Sequence, residues 1–464
     1  MPPKKAAKKT ATKKPAAKKS AAKKTTTSDA KKRVKVYETV RGMKDIKPLD
    51  GHYWVRMFHA MQNICKAYGY SYAETPVLEA AQLFVKSIGK GTDVVDKEMY
   101  SFEDRDGNKV AMRPEFTAGF ARSFVNHGLF SLPQPVRMWT QGPLFRYDRP
   151  QAGRYRQFHQ FDCEVIGERD PVIDAELIAI SYNFLRDLGI SAEVYINSIG
   201  TPEDRQNYTI ELVGYLRSKR SYLSEESRKR ITKNPLRILD SKDEKDQEVI
   251  QEGPQIIDWL SQESKQFFMK VLEYLDELQI PYVLQPTLVR GLDYYTDTVF
   301  ELYTESSDHG SQSALGGGGR YDGLVELLGG KEQTPASGFA IGLERVILAL
   351  REIERNEKKQ DSTEKKERSG IFFAQLGEQA RRKSLRIIED LRRNGIFVHS
   401  SISKGSLRAQ LEIADKENCS HSVILGQKEA QDNTVVVRDM DSGIQEIIDQ
   451  KKLESYLRSL IKNT

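Results

Sequence analysis

No stretch of the 464 residues approaches eighteen consecutive apolar side chains, so no membrane partner or membrane-spanning helix is expected. Cysteine is nearly absent, with Cys65, Cys163 and Cys419 far apart. That scarcity excludes a disulfide framework and a cysteine-based zinc site, and it accords with a reducing, cytoplasmic setting. The seven histidines are scattered as well. His159 lies in an arginine-rich segment, yet no second His or Cys stands at ligand spacing, so no protein-held metal is expected. Residues 1–33 lack aromatic side chains and any apolar face, and cannot bury enough surface to fold alone.

What this opening segment does have is charge. Twelve lysines and Arg33 oppose the single acid Asp29, a local +12 in a chain whose total is +6, so the rest is net acidic. It lacks the apolar core of a secretory signal and the arginine bias of a transit peptide. As a polycation it is expected to engage RNA or another polyanion by counterion release, with a solubilising extension as the alternative. Lysine doublets also serve as import signals, which leaves a nuclear or organellar address open.

Folded sequence is expected from residue 34. Trp54, Phe58, Met61, Ile64 and Cys65 recur at helical spacing within 52–68. GYSYAETPVLE at 69–79 reads as an extended segment broken by Pro76, and Asp106-Gly107 as a hairpin turn. Residues 171–188 carry Ile173, Leu177, Ile180 and Phe184 on one helical face. Residues 201–280 read as a charged helical insertion in a β-rich body. In 351–370 thirteen of twenty residues are charged, which predicts a helix end and a solvated linker. Beyond it IFFAQL, HSVILG and TVVVRDM alternate with helical patterns, a small α/β domain over 371–464.

Chemistry concentrates in a few segments. FRYDRPQAGRYRQFHQFDCEVIG at 145–167 sets Arg146, Arg149, Arg154 and Arg156 among aromatic residues and predicts a strand pair with one face toward a polyanion, because guanidinium forks match phosphate oxygens. GFAIGLERVIL reads as a strand turning into a helix, with Arg345 in the first turn, where unpaired backbone N–H groups favour an anion, a structural pairing of Arg345 with Glu344 or a nearby acid being the equal alternative. GGGGRYDGL at 316–324 lacks the Gly-Lys-Ser/Thr ending of a nucleotide P-loop, and its glycines are expected to let backbone approach a ligand. AMRPEFTAG places Glu115 and Thr117 two apart, on one face if extended, where they could hold an ammonium group, although a surface ion pair is the reading these residues alone favour.

These segments, together with LVRGLDYYT at 288–296 and the opening VYETVRGMKDI, resemble histidyl-tRNA synthetase, a class II aminoacyl-tRNA synthetase, from about residue 36 onward. The resemblance implies an α+β protein: a six- or seven-stranded antiparallel sheet flanked by helices over 34–350, a helical insertion at about 201–280, a linker at 351–370 and an anticodon-binding domain at 371–464. It implies ATP-dependent ligation of L-histidine to tRNA(His) through a histidyl-adenylate, with Mg2+ accompanying ATP, and a homodimer. It assigns Arg146 and Arg290 to the α-phosphate, and Arg154 and Arg345 to the outer phosphates. Glu115, Thr117 and Gln160 would hold the amino acid's ammonium and carboxylate ends, Glu164 and Tyr295 the imidazole, and Tyr294 and Tyr321 the rest of the pocket. Phe116 stands where many relatives carry a small residue, and Leu315-Gly316-Gly317 replaces a frequent small or Cys-containing stretch. A rival within the same fold is a regulatory paralogue that binds a histidine-biosynthetic enzyme. Such relatives are shorter and lose the arginines that persist here at 146, 290 and 345.

Overall fold

The computed structural model describes residues 37–89, 91–304, 314–331, 334–360, 368–403 and 405–462. The lysine-rich segment 1–33 and residues 361–367 of the expected linker lie outside them. The chain divides into two compact units, Met1–Glu354 and Arg355–Thr464.

In the first unit the strands are β1 (Ser71–Tyr72), β2 (Leu78–Ala80), β3 (Ser101–Glu103), β4 (Lys109–Met112), β5 (Val136–Phe145), β6 (Gln157–Ile166), β7 (Ala192–Ser198), β8 (Tyr282–Leu284), β9 (Thr296–Thr304), β10 (Ala314–Arg320) and β11 (Ala336–Gly342). Eight of them form one sheet in the order β1-β5-β6-β11-β10-β9-β7-β8. Its six central strands are antiparallel, but β1 pairs with β5 and β8 with β7 in parallel, so the sheet is mixed and one strand wider than expected. The segment around Pro76 does break as its proline dictates. β1 joins the large sheet, whereas β2 leaves it for a three-stranded sheet with β4 and β3.

Period-two alternation along β6 decides what each face does. Phe161, Cys163 and Val165 point into the main core with Trp139, Phe300, Phe339 and Ile341, against helices Gly51–Ala67, Pro171–Asp187 and Gln262–Glu277. Gln160, Asp162 and Glu164 take the opposite face. Helix Pro171–Asp187 starts where the sequence says: Pro171 needs no backbone donor, and Asp170 accepts from Val172 N at 2.9 Å. The insertion opens with Pro202–Ser218, capped by a reciprocal Thr201–Asp204 box, and closes on a second apolar cluster that includes Tyr208, Leu212 and Ile250.

The glycines at 316–319 form the middle of β10, held between β9 and β11. One local expectation yields to tertiary structure. The helix after β11 runs from Leu343 to Gln360, into the segment read as linker, because its charged residues are good helix formers.

The second unit has strands β12 (Ile371–Gln375), β13 (Val398–Ser400), β14 (His421–Leu425), β15 (Thr434–Asp439) and β16 (Gln445–Asp449), ordered β13-β12-β14-β15-β16. β12 is buried on both faces: Ile371 and Phe373 enter one apolar cluster, Phe372 and Ala374 another.

Candidate active site

On the polar face of the large sheet lies a cavity of about 370 Å³. Ten of the residues singled out above line it: Glu115, Thr117, Arg146, Arg154, Gln160, Arg290, Tyr294, Tyr295, Tyr321 and Arg345. They arrive from five places in the chain. The turn after β4 supplies Glu115, and Thr117 opens helix Thr117–Asn126. The β5–β6 connection and β6 supply Arg146, Arg154 and Gln160, the segment before β9 supplies Arg290, Tyr294 and Tyr295, Tyr321 follows β10, and Arg345 lies in the first turn of helix Leu343–Gln360.

The cationic side gathers four of the expected guanidinium groups. Arg146 donates to Pro114 O at 2.9 Å and lies 5.4 Å from the Phe158 ring. Arg154 pairs with Asp148 at 2.5 Å. Arg345 is anchored by the carbonyls of Ala314 and Gly153. Burial lowers the Arg345 pKa first, and the like charges of Arg154 and Arg146 lower it further, so these groups repel one another where no anion sits between them. Arg290 pairs with Glu301 and lies 5.7 Å from the Tyr295 ring. Burial opposes its charge, but Glu301 and Tyr295 more than restore it, so the guanidinium is held above its ordinary range. Gly317 makes that position possible, since a Cβ there would sit 2.8 Å from Arg290 Nη1.

The opposite side is acidic and buried. Glu115 is 4% exposed and accepts from Tyr294 OH at 2.9 Å, while its Oε1 is buried without a hydrogen-bond partner among the described residues. Burial, the leading cause, carries its pKa from 4.5 up to about 7. Glu164 stands just behind the wall. Thr117 donates to it at 2.6 Å and the Tyr321 hydroxyl donates to its other oxygen. Its carboxyl overlies Gly338, where any Cβ would collide with it. Burial raises the Glu164 pKa to about 8. Burial also keeps the phenols of Tyr294, Tyr295 and Tyr321 above their ordinary range, so each remains a hydrogen-bond donor at neutral pH.

Two expected placements change. Arg146, Arg149, Arg154 and Arg156 lie in the connection between β5 and β6 rather than on a strand pair, because Pro150 and Gly153 interrupt any ladder. Glu115 and Thr117 share the cavity without sharing a strand, since β4 ends at Met112 and Pro114 offers no backbone N–H to continue it. Among the described residues no group of three or more His, Cys, Asp or Glu is arranged to hold a metal ion.

Residues 100–354 match the family model described as tRNA synthetase class II core domain (G, H, P, S and T), and residues 371–460 the one described as anticodon binding domain. The histidine–tRNA ligase of Desulforamulus reducens is 41% identical over 430 residues, covering 90% of this chain and 98% of that protein. The chain belongs to the histidyl-tRNA synthetase family. The histidine–tRNA ligase of Synechococcus sp. is 42% identical over 427 residues, covering 92% of this chain and 100% of that one. The apo histidyl-tRNA synthetase of S. aureus superposes with a TM-score of 0.72 at 31% identity, covering 91% of this chain and 99% of that chain.

Against this histidyl-tRNA synthetase framework, Phe116 takes no part in the cavity wall. It is fully buried, 4.4 Å from the Arg113 guanidinium, in the cluster beside Phe120. Sequence reasoning passed over Asp162, Glu301 and Asp148, all of which line the cavity. A signal existed for Asp162, because residues 160, 162 and 164 of one strand share a face. Glu301 and Asp148 gave none, since each matters through a partner brought to it by folding.

Proposed function

We propose that the protein ligates L-histidine to tRNA(His), activating the amino acid with ATP as histidyl-adenylate before transfer to the terminal ribose. The observation that carries this is the polarity of one cavity: Arg146, Arg154, Arg345 and Arg290 on one side, Glu115, Glu164 and three tyrosines on the other. A polyanion and a small amino acid carrying an ammonium group would meet there at the boundary between the two.

In the first step a carboxylate oxygen of histidine attacks the α-phosphorus and pyrophosphate leaves. Arg146 and Arg290 would face the negative charge that builds on the α-phosphoryl oxygens, held in place beforehand by Pro114 O and Glu301. Arg154 and Arg345 would take the outer phosphates, and Mg2+ arrives with ATP as part of the substrate. Glu115, Thr117 and Gln160 would hold the amino acid's polar ends. Glu164 keeps lone pairs beyond those used by Thr117 and Tyr321, and these would accept an imidazole N–H, with Tyr295 at the other ring nitrogen. In the second step a ribose hydroxyl of the tRNA attacks the activated carbonyl and AMP leaves. A ligand without ring nitrogens would leave these buried groups unpaired, which rejects it without an editing site.

The same proposal gives catalysis to residues 34–350 and tRNA anticodon reading to 371–464, and places a homodimer in the cytoplasm with the lysine tail toward RNA or another polyanion. Similarity to full-length histidine–tRNA ligases supports it. The deciding measurement is exchange of labelled pyrophosphate into ATP with each of the twenty amino acids in turn. Histidine alone should support exchange. Exchange with another amino acid, or with none, would overturn the assignment.

A further inference from the structure

Glu115 is not the only lining carboxylate with an unpartnered oxygen. Asp162 leaves β6 between Gln160 and Glu164, toward the cavity, which it lines. It is 1% exposed, and its Oδ1 is buried without a hydrogen-bond partner among the described residues. Thr140, directly across the β5–β6 ladder, has a buried and unpartnered Oγ1 of its own. On the other side Ala340 of β11 faces Asp162, so no bulky side chain of that strand covers it. The cations whose charge offsets Asp162 make their hydrogen bonds elsewhere, Arg146 to Pro114 O and Arg113 to the carbonyls of Pro143 and Thr75, with Arg113 Nη2 left without a hydrogen-bond partner among the described residues. Glu115, which also lines the cavity, shows the same pattern, with Oε2 taken by Tyr294 and Oε1 without a hydrogen-bond partner among the described residues. Two carboxylates that line one small cavity therefore each keep a buried oxygen with acceptor capacity unused.

Unmet capacity of this kind in a buried site is complementary to a compact cation with several N–H donors. We propose that Asp162 is a further substrate-binding residue, whose Oδ1 joins Glu115 Oε1 in receiving the ammonium group of the amino acid. The assignment rests on the histidine-activating function above. Burial, followed by the negative charges of Glu164 and Glu115, raises the Asp162 pKa well above the usual carboxylate range, so a bound ammonium relieves a cost already present in the empty site. A purely structural Asp162, bridging Thr140 and Arg113 through internal water, would affect folding without sensing the ligand's charge.

Two inhibitors of the exchange reaction separate these roles: histidinol, which keeps the ammonium, and imidazole-lactate, in which a hydroxyl replaces it. In Asp162→Asn, histidinol should weaken about ten- to a hundredfold, as expected for a lost charge-assisted hydrogen bond, while imidazole-lactate changes less than about threefold. The KM for ATP should stay at the wild-type value. Equal weakening of both inhibitors, or of neither, would overturn the assignment. Should Asp162→Asn fail to fold, the histidinol-induced rise in melting temperature of Asp162→Ser gives the same comparison. A wild-type protein that supports no histidine-dependent exchange would overturn the underlying function instead, which the unmutated control reveals separately.

Discussion

At the scale of single residues the site is a set of charges held in places that oppose charge. Glu115 rises from 4.5 to about 7 and Glu164 to about 8, each chiefly through burial. A carboxyl that keeps its proton more tightly when folded contributes stability that is complete below about 4.5. That contribution is lost as pH climbs through the folded pKa. The free protein should therefore lose stability between roughly pH 5 and 8 on account of these two groups. Glu115→Gln removes one of them: without ligand it should melt near the wild-type temperature at pH 5 and above it at pH 8.5. Because ammonium binding needs an ionised acceptor, histidine affinity of the wild type should increase as pH rises through about 7, and Glu115→Gln should flatten that increase. Isothermal titration across this range measures it, and an unchanged slope would count against Glu115 as an ammonium acceptor. Arg290→Ala should lower histidine-dependent pyrophosphate exchange by about 10²–10³, the size of a lost preorganised donor, with the melting curve read alongside. Unaltered exchange would remove Arg290 from the reaction.

At the scale of elements the decisive feature is the close stacking of β6, β11 and β10. Gly338 faces Glu164 across one ladder, and Gly317 lies against Arg290 beside the other. A methyl group at 338 has to displace a buried carboxyl hydrogen-bonded by Thr117 and Tyr321. Gly338→Ala should accordingly cost about 1–3 kcal/mol in urea denaturation and weaken histidine more than ATP. Loss of ATP affinity alone would contradict the position given to Glu164. Much at this level was legible beforehand: the 52–68 helix, the Asp106-Gly107 turn and the strand-to-helix passage at Gly342 follow from periodicity and turn chemistry. The glycine run was not, since four glycines in sequence look the same whether they form a loop or a strand between crowded neighbours. Only the flanking strands decide between the two.

At the scale of the whole molecule, one unit builds a two-sided cavity and the other a smaller sheet with its own two apolar clusters. The excess positive charge belongs to residues 1–33. Deleting them should lower tRNA affinity and flatten its dependence on salt, since each lost phosphate contact removes counterion release. Identical binding curves for the full-length and shortened proteins at 50 and about 200 mM salt would leave the tail a solubilising extension. The sequence by itself determined the segments that carry charge, the periods that make helices and strands, and the family resemblance, because these depend on neighbours along the chain. Tertiary structure alone decided that Glu301 anchors Arg290, that Glu164 sits behind Thr117 and Tyr321, and that Asp162 faces the cavity unpartnered. Those outcomes follow from burial and pairing between residues far apart in sequence, and both come into being only when the sheet closes.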